Sequence, residues 1–251
     1  MGLKWRQKLF HMTETTSSKW PKTVPPLTDA QRAISDDFVN VWHEILPRYS
    51  RVERFNHGWI VKTAPVSFTT TLEIGAGLGE HLSYERLTQA QESCYVAIDV
   101  RDNMAAEMQR RYPKIQVLVA DCQRALDFPD DSFDRIIAVH VLEHLPNLPA
   151  TIREVHRLCN KHGGIFQVVI PCEGSPAYTA CRRISAQRAF EKRYKQSYRW
   201  FIEREHLNLP HEILSEIEPY FTVDKRAFFP FPLPFVWCNL CVGLGLKPKY
   251  R

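Results

Sequence analysis

The chain has 251 residues, 44% of them hydrophobic and 24% charged, with 33 Lys and Arg set against 28 Asp and Glu. That length can bury one large core, and the mixture of apolar and charged residues excludes a disordered or fibrous chain. A net charge of +5 favours an anionic ligand or surface without demanding nucleic acid.

The opening stretch "MGLKWRQKLF" has basic residues but no following apolar run, so it does not read as a secretory signal. Position 6 is Arg6 rather than Ser or Thr, and the myristoylation pattern fails. Residues 1–27 end in "KWPKTVPP" and read as a lead that is poorly ordered or draped on the surface. Thr28 and Gln31 stand at capping-box spacing, and Phe38, Val41, Trp42 and Ile45 then recur at helical intervals. This predicts one amphipathic helix stopped by Pro47, within an N-terminal helical cap spanning 28–68.

From residue 69 the pattern alternates between strand and helix. Strands are expected at "TTTLEIG", "CYVAIDV", "IQVLVAD", "FDRIIAVHV" and "GGIFQVVIP", with helices near 80–90, 103–112 and 148–160. Continuously apolar strands of this kind suit a doubly wound α/β sheet, mostly parallel and covered on both faces, across 69–171. Residues 174–208 form a basic, aromatic insertion. A short helix at "PHEILSEIEPY" follows, then two strand-like runs, "FTVDKRAFF" and "FVWCNLCVGLGL", joined through "PFPLP" as an antiparallel pair within 209–251.

Ala227 to Leu246 carries no charge, but Pro230, Pro232 and Pro234 break any helix that would span a bilayer there. Cys238 and Cys241 form a lone C-x-x-C without a second pair, so no metal is expected. Seven cysteines, scattered and odd in number, fit a reducing, cytoplasmic compartment.

The segment "LEIGAGLGEHL" sets Gly75, Gly77 and Gly79 directly after a strand, where positive φ and missing Cβ atoms let the backbone approach a ligand. A dinucleotide fingerprint would need glycine at position 80, which is Glu80, and no Gly-Lys-Ser/Thr follows to make a phosphate loop. This segment resembles the first motif of class I S-adenosylmethionine-dependent methyltransferases. "YVAIDV" resembles their second motif, "VADCQRALDFPDDSFDRIIAVHVLEHL" the third and fourth, and "GGIFQVVIP" the fifth. The core is more similar to the ubiquinone- and sugar-modifying branch than to the DNA enzymes, since "HVLE" stands where those carry an "NPPY"-type tetrapeptide.

The resemblance implies a Rossmann-like methyltransferase fold over 28–251, with a seven-stranded sheet, a C-terminal antiparallel pair and a helical lid after the fifth strand. It also implies S-adenosyl-L-methionine as cofactor, leaving as S-adenosyl-L-homocysteine. Glu73, Gly75, Ala76, Gly77 and Gly79 would belong to the cofactor bend. Asp99, with Val100 beside it, would hold the ribose hydroxyls. Asp121 and the Cys122 amide would meet the adenine, and His140 would line the methionine end.

Methyl transfer to a hydroxyl is helped by a general base, and His144 and His206 are the candidates. Arg182 to Arg204 holds eight Lys or Arg and two acids, while Phe190, Tyr194, Tyr198 and Phe201 recur at helical spacing. One reading is a helix packing an aromatic stripe; the other is a lid offering cations to an acidic acceptor. The expected partner is therefore a small or lipid-like, anionic acceptor methylated at oxygen, with nucleic acid disfavoured and a peripheral membrane contact suggested by "AFFPFPLPFVW". N-methylation of a phospholipid head group or RNA, and a non-catalytic cofactor-binding partner, are the alternatives. The sequence does not specify an oligomeric state.

Overall fold

The computed structural model describes residues 19–250. The lead expected at 1–27 therefore lies partly outside the described residues. Its described end drapes on the surface: the Lys22 amide donates to the Pro146 carbonyl at 2.8 Å, and Trp20 Nε1 donates to Glu216 at 3.2 Å.

Helix α1 (Asp29–Ile45) begins as expected, with Thr28 and Gln31 capping one another reciprocally. A 3-10 turn, Leu46–Tyr49, carries the chain past Pro47 into a second helix, α2 (Ser50–Thr63), which the apolar periodicity did not reveal. The reason is chemical: the buried side of α2 includes Asn56, His57 and Thr63 as well as Ile60. Gln167, fully buried, donates to the Ile60 carbonyl at 2.7 Å and to Thr63 Oγ1 at 2.6 Å. Polar bonds thus help pin α2 to the sheet, where a purely apolar stripe is the usual signal.

The core alternates β1 (Thr71–Ile74), α3 (Gln89–Ser93), β2 (Tyr95–Asp99), α4 (Asp102–Arg111), β3 (Gln116–Val119), β4 (Arg135–Val139), α5 (Leu148–Leu158) and β5 (Ile165–Pro171). Only a 3-10 turn (His81–Tyr84) and the five-residue α3 stand where a helix over 80–90 was expected. His81 and Glu85 turn inward to a buried ion pair, Glu85 meeting Arg135 Nη2 at 2.6 Å, and Thr88 and Gln91 form a fresh capping box that restarts the helix.

The insertion supplies α6 (Pro176–Ile184), α7 (Ala186–Tyr194) and α8 (Arg199–Glu205), followed by α9 (Pro210–Ile217), β6 (Phe221–Phe229) and β7 (Cys241–Pro248). The seven strands lie in the order β3-β2-β1-β4-β5-β7-β6. β1 to β5 are parallel, and β7 runs antiparallel to both β5 and β6. The run "FVWC" expected in the last strand is a loop and a 3-10 turn instead, with β7 opening only at Cys241. Its Phe231, Leu233, Phe235 and Trp237 are about half exposed or more. Among the described residues no helix is long and apolar enough to cross a membrane.

The sheet buries Ile136, Phe166 and Val168 among Ile152, Val155, Ile213 and Ile217 of α5 and α9, and Ile137 and Val169 with Ile60 of α2. A separate aromatic cluster joins Phe38 of α1 to Phe190, Tyr198 and Phe201 of the insertion. The aromatic stripe is therefore packing, the first of the two readings of that segment, and it fastens α1 and the insertion into one roof. Strand order reverses at β1 and β4, the place where an open parallel sheet receives its ligand.

Candidate active site

Beyond the ends of β1 and β4 lies a cavity of about 380 Å³, lined at one end by Gly75, Ala76, Gly77 and Asp99 and at the other by Glu143, His144 and His206. A second recess adjoins it through Gly75, Asp99, His140 and His144, and is lined further by Val100, Asp121 and Cys122.

Gly75, Gly77 and Gly79 all have positive φ, at 64°, 57° and 80°, but their missing side chains serve different ends. A Cβ on Gly75 would strike the Val141 side chain at 2.5 Å, and one on Gly79 the Tyr112 ring at 2.6 Å. On Gly77 it would meet only Glu80 Oε2, at 3.2 Å. Gly77 is therefore where bare backbone faces the cavity, whereas Gly79 lines neither recess and serves packing. Asp99, at the end of β2 and 6% exposed, accepts from the Gly77 amide at 3.0 Å and the Arg101 amide at 2.9 Å. Each of its oxygens keeps a further lone pair for a ribose hydroxyl. Asp121 is oriented by the backbone and side chain of Gln123, both donating to Oδ1 at 2.9 and 3.0 Å. The bend, two carboxylates and a recess between them fit a nucleoside bearing a charged amino-acid tail.

Glu73 lines the first cavity but is 4% exposed and accepts from the Tyr95 hydroxyl at 2.7 Å. Burial, outweighing that hydrogen bond, pushes its carboxyl up to about 8. Its carboxyl lies beneath the bend and is tied to β2.

At the other end, β4 is followed by His140 with φ of 53°, a conformation that costs a non-glycine residue about 1–3 kcal/mol. The turn aims His140 Nδ1 at Glu143 Oε1, 3.2 Å away. Glu143 is 1% exposed; burial alone would raise its carboxyl, but the His140 hydrogen bond and the charges of His144 and His206 hold it at about 2. His140 is held above its ordinary value: burial opposes this, while Cys241 and Glu143 favour the proton. Burial lowers His144.

The His144 and His206 rings meet edge to face with centroids 5.1 Å apart. His206 Nδ1 lies 2.7 Å from Glu173 Oε2, and Glu173 is in turn gripped by Arg182 at 2.7 Å. The two histidines named as base candidates are thus brought together, although 62 positions separate them in the chain. Glu143, Glu173 and Tyr178 complete this end and were not foreseen. Glu143 stands inside "HVLEHL" itself, so adjacency to the fourth motif was its available signal.

Of the insertion's cations, Arg193 pairs with Asp37, Arg199 with Glu203 and Arg182 with Glu173. Arg182 is the only one of the eight Lys or Arg in the insertion to line the first cavity among the described residues. Phe38, Trp42, Tyr49, Tyr178 and Tyr198 give that cavity an aromatic wall. Cys238 and Cys241 do not converge on a site: the Cys238 thiol turns to the Phe235 carbonyl and the Cys241 thiol to His140.

Residues 72–167 match the family model described as a methyltransferase domain. No curated protein matches the chain. Among solved structures, the fold is similar to a chain in the complex of the Haloferax volcanii Trm112 methyltransferase activator with a putative methyltransferase, at TM-score 0.60 and 15% identity, covering 89% of this chain and 100% of that one. It is also similar to a TehB-like methyltransferase from Corynebacterium glutamicum, at TM-score 0.58 and 13% identity, covering 87% and 100%. A third similar structure, from Thermotoga maritima, is described as a possible histamine N-methyltransferase, at TM-score 0.51 and 19% identity, covering 83% and 99%.

Proposed function

Starting from a chain that carries a class I methyltransferase domain and is an enzyme using S-adenosylmethionine, we propose that it methylates a hydroxyl oxygen of a small or lipid-like acceptor. We place it with the ubiquinone- and sugar-modifying branch. The observation that carries this reading is the single cavity joining Gly77 and Asp99 to His144 and His206 under an aromatic roof.

When bound, the cofactor supplies a methyl group on a sulfonium, already activated for in-line displacement. The Gly77 backbone and Asp99 hold its tail and ribose, Asp121 and Cys122 bracket the base, and His140 borders the methyl end. The acceptor lies with its apolar body against Trp42, Tyr49 and Tyr198 and its hydroxyl toward His144 and His206. The acceptor oxygen would receive the cofactor's methyl group, and His144 and His206 would take the hydroxyl proton into the imidazole–carboxylate cluster. Since Arg182 is the one insertion cation that lines this cavity among the described residues, and Glu173 matches it, the apolar wall contributes more to acceptor choice than positive charge does. The exposed Phe231, Leu233, Phe235 and Trp237 favour the lipid-like end of the range and a peripheral membrane contact.

The test is to supply methyl-labelled cofactor with cell extracts and fractionate the products. Label in organic-soluble or small aqueous products is expected. Label confined to RNA, or cofactor binding without any S-adenosylhomocysteine formed, would overturn the reading.

A further inference from the structure

Glu143, His144 and His206, read above as taking up the hydroxyl proton, also have the composition of a metal centre, in which their lone pairs would serve the ion instead. One ligand atom from each lies within 4.8 Å of the others. Three donors at about 2.1 Å from one tetrahedral ion stand about 3.4 Å apart, so the widest pair closes by up to about 1.4 Å when an ion is bound. His144 Nε2 is already 3.8 Å from Glu143 Oε1.

Two features beyond the cluster itself point to an ion. Glu143 is 1% exposed, and its Oε2 has no hydrogen-bond partner among the described residues, an arrangement that buried carboxylates rarely tolerate. The outer contacts are also those of a metal site. Glu173 fixes His206 through Nδ1 at 2.7 Å and leaves Nε2 available, while His140 holds the other Glu143 oxygen at 3.2 Å. Carboxylates behind ligating imidazoles set the tautomer and raise ligand basicity. His144 shows the same arrangement more loosely, its Nδ1 lying 3.7 Å from Glu205 Oε2.

We propose that Glu143, His144 and His206 bind one divalent transition cation of the zinc, manganese or cobalt class, with the remaining positions open to the cavity. Two imidazoles and one carboxylate suit such ions better than magnesium or calcium. The assignment rests on the reading above for its purpose only: an acceptor hydroxyl filling the open position would lose its proton to water more readily there, the ligated imidazoles no longer taking it up. Cation binding itself does not depend on methyl transfer.

The experiment uses the full chain, stripped with chelator and titrated with Co2+ by calorimetry and visible absorption. S-adenosylhomocysteine binding is measured in parallel to report an intact fold. One Co2+ per chain with ligand-field bands is expected. Affinity should fall on the order of ten- to hundredfold or more in His206→Ala and His144→Ala, with S-adenosylhomocysteine binding retained in His206→Ala. Glu143→Gln should lose Co2+ likewise, and His206→Ala, removing a less buried side chain, guards against misfolding in that variant. No saturable Co2+ binding by protein that binds S-adenosylhomocysteine would overturn the assignment. So would undiminished binding in both histidine variants, or thiolate-to-cobalt charge transfer showing that cysteines hold the ion. Failure of the methyltransferase reading would show separately, as absent S-adenosylhomocysteine binding with Co2+ uptake unaffected.

Discussion

The Gly77 amide donates to Asp99 Oδ2 at 3.0 Å, tying the turn after β1 to the end of β2 across the floor of the cavity. The carboxylate therefore both shapes the bend and presents lone pairs to a ribose. Asp99→Ala should weaken S-adenosylhomocysteine binding by ten- to hundredfold, about 1.4–2.8 kcal/mol. Asp99→Asn, isosteric but a poorer acceptor, should fall between it and wild type. Calorimetry checks the order; equal affinity in all three would remove Asp99 from the cofactor site.

The three glycines of the bend should separate into two classes. Alanine at Gly75 or Gly79 forces a Cβ into the Val141 or Tyr112 side chain, adding overpacking of about 1–3 kcal/mol to the cost of positive φ. Gly77→Ala meets only the carboxylate end of Glu80, at 3.2 Å, and should lose less stability while losing most cofactor binding. Urea unfolding alongside ligand titration distinguishes them. If Gly77→Ala binds normally, the backbone there does not face the ligand.

The parallel core was legible because the buried strands β1, β2, β4 and β5 leave near-continuous apolar runs and the glycine bend has a distinctive spacing. The capping box of α1 was legible for a similar, local reason. Helix α2 was not, because polar residues such as Asn56 and His57 occupy its buried side and long-range bonds from Gln167 hold it down. The site shows the same division. Asp99 and Asp121 follow strands at expected places, but no local pattern announces that His206 returns from the insertion to meet His144, or that Glu173 stands behind it. Nor does spacing tell that Gly79 serves Tyr112 rather than the cavity.

Arg135, fully buried, meets Glu85 at 2.6 Å and Gln167 at 2.6 Å. Although burial opposes it, the His81 hydrogen bond and the Arg135 charge hold the Glu85 carboxyl down at about 2, against an ordinary value of 4.5. The folded value is the depressed one, so this stabilisation is complete above about pH 4.5 and is lost as pH falls toward 2. Glu85→Gln strips the charge partner from a buried guanidinium and should cost about 3–5 kcal/mol near neutrality. The gap between wild type and variant should narrow on acidification through that window. A constant gap from neutral pH to pH 3 in denaturant titrations would show that the ion pair does not set it.

Glu173 reaches His206 from one side and is anchored by Arg182 from the other, both at 2.7 Å. Neutralising it leaves His206 in place but removes the charge that fixes its tautomer. Glu173→Gln should therefore lower kcat/KM on the order of ten- to hundredfold, with S-adenosylhomocysteine affinity within about twofold, since Glu173 does not line either recess. Arg182→Met should produce a smaller loss in the same direction by loosening the anchor. Because Arg182 itself lines the cavity, its variant should also raise KM for an anionic acceptor and leave KM for a neutral one near wild type. Full activity in Glu173→Gln would mean that the orientation of His206 does not matter to transfer.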